Sequence, residues 1–137
     1  MVQFYFLSVC LNILGGLVLA APHFSERFPG ILSLRGYIFD KSGLRIGLIA
    51  ALLLIGVMKI ISVSNGDVII VGDLLPSLTL LLSGFTLLVE FIFENKESES
   101  GFLKKMDSIF VKHASITGIA ALVAGGLHFI FPTVLFL

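Results

Sequence analysis

Thr79, Ser83, Thr86 and Glu90 recur at i, i+4, i+7 and i+11, the spacing that lines one face of a helix. Three hydroxyls leading to a carboxylate, inside an otherwise apolar run, can pass protons or hold a small cation. An ionisable group in such a run is costly and often functional. The plainer role is structural. Ser and Thr in apolar helices commonly bond to neighbouring helices. Glu90 stands at the depth of Arg45 and Lys112, and either cation can neutralise it. The sequence favours structure, with an ion or proton path as the alternative.

Other chemistry has less support. His23 and His113 fall at one end of their apolar runs and His128 at the opposite end, so the histidines form no ligand trio. There is no HxxxH or HExxH spacing, and Cys10 is the single cysteine. No metal, haem or other cofactor is expected. No GxSxG occurs, and no serine sits beside a base at a recognisable spacing, so no enzyme is expected. Asp67 and Asp73 form a carboxylate pair in a connector. Capping a helix, or pairing with Lys59, is the simpler use of such acids.

A second group of residues concerns packing. Asn12 lies in the middle of an apolar run, with Ser8 and Gly15 on the same face, and must find a hydrogen-bond partner. Near the other end of the chain Gly118, Ala121 and Gly125 follow Ala114 at helical spacing, with His128 on the same face. Small residues let helices approach closely. The expectation is a contact between the first and last apolar runs, with Asn12 bonded across it. A binding cavity near Asn12 is the sharper alternative.

These residues need a scaffold, and the composition says which kind. The chain has 137 residues, 57% hydrophobic and 13% charged, with zero net charge and a mean hydropathy of +1.09. Soluble domains carry about 25% charged residues. This chain lacks the polar surface to cover a core in water, so lipid must cover it. Zero net charge gives no bulk attraction to nucleic acid, and none is expected as a partner.

Apolar stretches at 4–21, 44–61, 74–93 and 109–131 are each long enough to span a bilayer as a helix. The predicted fold is an all-α integral membrane protein, four spans in a compact bundle forming a single domain over 1–137. The first stretch has a small-residue pattern in VLAAP, but MVQFYF lacks the basic residue of a signal peptide, so it reads as a span.

The connectors set orientation. Arg27, Arg35, Lys41 and Arg45 follow the first span, and Lys96, Lys104, Lys105 and Lys112 follow the third. Of the nine basic residues only Lys59 belongs to the other side. The positive-inside rule places the first and third connectors in the cytoplasm and both termini outside. A bacterial inner membrane is the expected location.

The first connector interleaves Phe24, Phe28, Ile31, Leu34, Ile38 and Phe39 with basic residues, a mix suited to a segment lying in the headgroup layer. FLKKMDSIFVK (102–112) reads as an amphipathic lead-in to the fourth span. The outer connector, SNGDVIIVGDLLP (64–76), carries Asn65-Gly66 between apolar runs, a hairpin signal. Its branched residues are expected to rest on the bundle as a compact cap, with Asp73 capping the third span and Asp67 within reach of Lys59. No residue pattern points to a substrate. The expected role is a non-catalytic membrane protein, acting as a homo-oligomer or an accessory subunit, with a small ion or proton channel or transporter as the alternative.

Overall fold

The computed structural model describes residues 2–61, 74–95 and 101–131, and all secondary structure among them is helical. The chain runs as α1 (Val2–Phe24), α2 (Pro29–Phe39), α3 (Ser42–Ile61), α4 (Leu74–Asn95), α5 (Gly101–Met106), a π-helical turn (Asp107–Val111) and α6 (Ala114–Ile130). The hairpin cap, with Asp67 and Asp73, lies outside the described residues.

α1, α3 and α4 are long and apolar enough to cross a membrane. The fourth predicted stretch is not one straight helix. Segments Lys104–Val111 and Ala114–Ile130 meet at 44°. The backbone explains the bend. Lys112 N–H donates to the Asp107 carbonyl at 3.2 Å, one residue beyond the α-helical partner. His113 then leaves helical geometry, at φ −104° and ψ 13°, before α6 begins. Counted as one broken span, this pair makes four.

The first connector contains a helix of its own. Pro29 opens α2 at the first helical position, where its missing N–H is no loss. Leu34, Ile38 and Phe39 then turn inward onto the core of α1, α3 and α4. Phe28, Leu32 and Tyr37 stay exposed. The segment therefore has one buried edge and one free edge.

α6 packs most extensively on α1, and α3 on α4. The α1–α6 approach is set by Gly16 and Gly118. A Cβ on Gly118 would lie 2.5 Å from the Ala20 nitrogen and 2.8 Å from the Gly16 carbonyl oxygen. No side chain larger than hydrogen fits at that crossing. On α3 the buried residues Arg45, Leu48, Ile49, Leu52, Ile55, Gly56 and Lys59 form one helical stripe. The opposite face exposes Ile46, Leu54, Val57 and Ile61.

Candidate functional site

The polar face of α4 does not look outward. Thr79, Ser83 and Thr86 are buried, and all are turned into the bundle on the face that carries Glu90. The register between α1 and α4 can be followed residue by residue. The Thr79 hydroxyl donates to Asn12 Oδ1 at 2.7 Å, and Asn12 Nδ2 donates to the Pro76 carbonyl at 3.2 Å. A Cβ on Gly15 would stand 3.7 Å from Ser83 Cβ. Farther on, Arg35 links the Val18 carbonyl with Glu90. These contacts advance together along both helices, so α1 and α4 run parallel with a polar seam between them.

Asn12 therefore bonds across to α4 and not, as its sequence position suggested, to the last helix. Gly125 of α6 does approach it: a Cβ there would lie 2.9 Å from Asn12 Cβ. Gly118, Ala121 and Gly125 are buried on α6, where Gly118 and Gly125 take part in its close packing onto α1. Asn12 turns to α4 because α4 offers acceptor and donor together, the Pro76 carbonyl and the Thr79 hydroxyl.

The Glu90 end of the seam is closed from the connector. Glu90 pairs with Arg35 of α2, not with Arg45 or Lys112. The same guanidinium donates through Nη1 to the Val18 carbonyl at 2.9 Å. That carbonyl is available because its α-helical donor would be residue 22, and Pro22 has no N–H. Arg45 instead pairs with Glu94, one turn beyond Glu90 on α4, and Lys112 is exposed. The Phe39 ring lies between the two arginines, 4.1 Å from the Arg35 guanidinium carbon and 3.8 Å from that of Arg45. Two cations, two carboxylates and one ring thus tie α2, α3 and α4 together.

The other end of the bundle holds a second polar group. Lys59 is 7% exposed and His128 only 1%. Lys59 Nζ lies 3.5 Å from His128 Nε2. The Tyr5 hydroxyl donates to the His128 carbonyl, and the two rings stand 4.6 Å apart. Lys59 is thus drawn into the bundle from the edge position its sequence suggested. Its distance from Asp67 falls outside the described residues.

From the sequence Arg35 counts only among the charges that set orientation, and Glu94 and Tyr5 carry no role. Pro22 carried a usable signal for Arg35: a proline inside a helix leaves one carbonyl in need of an outside donor.

Between the two ends the seam is buried. The Thr86 hydroxyl donates to the Leu82 carbonyl at 2.7 Å within α4. Among the described residues, Ser8 Oγ, Ser83 Oγ and Glu90 Oε2 are buried and have no hydrogen-bond partner. No group of three or more His, Cys, Asp or Glu side chains could hold a metal among the described residues.

A family model for a domain of unknown function matches residues 1–128. The chain belongs to that family. The match runs from the start of α1 to His128, so it takes in both polar ends and the seam between them. No curated protein and no solved structure matches the chain.

Proposed function

We propose that the chain is a non-catalytic polytopic membrane protein that works as a homo-oligomer or as an accessory subunit of a larger membrane complex. Four spans cross the bilayer, with the π-helical turn and α6 forming the last. α2 and α5 lie on the cytoplasmic side of a bacterial inner membrane, and both termini lie outside.

The observation that carries this reading is the pairing of Glu90 with Arg35. A carboxylate at the end of a hydroxyl stripe serves transport when it faces a hydrated path. Here it binds a guanidinium that also binds α1, so its first use is to join helices. The Asn12–Thr79 bond is of the same kind. The outer surface supports an assembly. Gly47 lies exposed on α3, and a Cβ there would meet nothing within 4 Å, so the internal packing does not require that glycine and another helix could approach closely there.

Mass measurement of the detergent-purified protein tests the assembly. A homo-oligomer or a co-purifying subunit is expected, and a lone 14.8 kDa chain contradicts it. Orientation is tested separately, with Ser98→Cys in a Cys10→Ser background. Reaction with an impermeant reagent added outside intact cells reverses the assignment.

The Ser8 and Ser83 hydroxyls, buried without a hydrogen-bond partner among the described residues, favour a second reading, a small ion or proton channel or transporter along the seam. Liposome flux separates the two. A flux abolished by Glu90→Gln, at unchanged thermal stability, replaces the first reading with the second.

A further inference from the structure

We infer that α2 is a lid over one end of the α1–α4 seam, latched shut by Arg35. The inference rests on the contacts of Arg35 and holds whether or not the seam conducts.

Among the described residues, Arg35 is the one α2 side chain hydrogen-bonded to a spanning-length helix. It holds two of them at once, α1 through the Val18 carbonyl and α4 through Glu90. The bridged gap is the seam itself. One and two turns along α4 from Glu90 lie Thr86 and Ser83, both with no exposed surface, while the Arg35 and Glu90 side chains retain 16% and 13%. The latch is therefore the point at which solvent meets a polar interior.

Both acceptors are ones that water can take over. The Val18 carbonyl has no intrahelical donor because of Pro22. Glu90 has a second oxygen, Oε2, buried without a partner among the described residues. A buried polar atom left unbonded is costly, so this end of the seam gains from water once the lid lifts.

α2 is also jointed at both ends. It is preceded by a turn held by Phe28 N–H donating to the Phe24 carbonyl at 2.8 Å. It is followed by Asp40 and Lys41 before α3 begins. On the exposed edge of α2, Tyr37 is held, among the described residues, only by Lys41 of the adjoining linker, whose ammonium donates to its hydroxyl at 2.8 Å. What resists opening is the apolar edge of Leu34, Ile38 and Phe39, together with Arg35. Loss of the Arg35 bonds leaves the apolar edge and the contact of Phe39 with Arg45.

The test uses Thr86→Cys in a Cys10→Ser background, purified and placed in lipid nanodiscs, with a hydrophilic maleimide as probe. The thiol should react slowly with Arg35 and Glu90 intact, through a minor open state. Adding Arg35→Gln should raise the labelling rate about tenfold or more, as expected when a minor state becomes prominent. Glu90→Gln, which keeps the shape and removes the charge, should raise it as well. Helix content by circular dichroism should stay unchanged in both. Equal labelling rates in all three proteins overturn the lid, whether fast or slow. Loss of the folded bundle in both variants also overturns it, because a lid must leave the bundle standing when open. If only Arg35→Gln unfolds, the rate in Glu90→Gln decides.

Discussion

Arg35 donates to the Val18 carbonyl at 2.9 Å, the acceptor that Pro22 leaves without its helical donor. A defect in one helix has become the docking point of another. Proline in a helix interior removes one hydrogen bond and leaves its carbonyl to be satisfied elsewhere. Here the donor comes from a connector helix, and its charge is balanced by Glu90.

That relationship makes Pro22 and Arg35 energetically dependent. Pro22→Ala restores an N–H for the Val18 carbonyl, so Arg35 has less to donate to. Arg35→Ala should therefore destabilise less in the Pro22→Ala background than in the native one. The expected coupling is about 0.5–1.5 kcal/mol, the net worth of one hydrogen bond. A double-mutant cycle on unfolding in detergent measures it, and a coupling near zero means that Arg35 acts through Glu90 alone.

The helix crossing at Gly118 predicts a sharp contrast between two glycines of α6. Gly118→Ala places a methyl 2.5 Å from backbone, whereas Gly126→Ala meets nothing within 4 Å. The first should destabilise by about 1–3 kcal/mol or more, as overpacking does. The second should be neutral or stabilising by up to about 1 kcal/mol, from helix propensity. Thermal melts of both variants in one detergent decide the matter.

Asn12 and Thr79 should couple measurably. The cycle of Asn12→Leu and Thr79→Val is expected to give an interaction of about 0.6 kcal/mol, with roughly 1.7 as a ceiling for polar contacts between spanning helices. Asn12→Leu alone should be worse than Thr79→Val alone. It removes the donor to Pro76 as well, and leaves the buried Thr79 hydroxyl with carbonyls of its own helix only.

Phe39 should matter for its ring and not only for its volume. Phe39→Leu keeps an apolar side chain but loses the faces on which Arg35 and Arg45 rest. Cation–π contacts are worth about 0.5–2 kcal/mol each, so a loss of roughly 1–2 kcal/mol is expected. Phe28→Leu, at an exposed position, should lie within about 0.5 kcal/mol of the native protein. Equal effects at both sites mean that the ring faces contribute nothing beyond burial.

The seam was legible because it follows a period. Thr79, Ser83, Thr86 and Glu90 share a face whatever surrounds them, and polar residues in an apolar helix turn inward. Their partners were less legible, since partner choice depends on which helices end up adjacent. Depth along the bilayer suggested Arg45 or Lys112 for Glu90, and the structure uses Arg35 from a connector whose composition suits the headgroup layer. Pro29, with Leu34 and Ile38 four apart, was the sign that this strip is a helix with an inner edge. The break before α6 escaped notice for a different reason. Hydropathy over 109–131 records how apolar the run is, and direction within it depends on Lys112 and His113, where a π-type hydrogen bond replaces the α-type one.

Tyr5 and His128 touch across a separation of 123 residues. α1 finds its most extensive neighbour in α6, the described helix farthest from it in sequence. During synthesis α1 must therefore wait, with the cleft at Gly16 unfilled, until α6 has left the ribosome. A chain truncated before α6 would keep its apolar segments yet lack the piece that closes the bundle, so quality control would meet it as an unfinished protein. Because Tyr5 of α1 meets His128 of α6, a short linker from α6 back to α1, with a new opening elsewhere, would let the two helices assemble as neighbours in sequence.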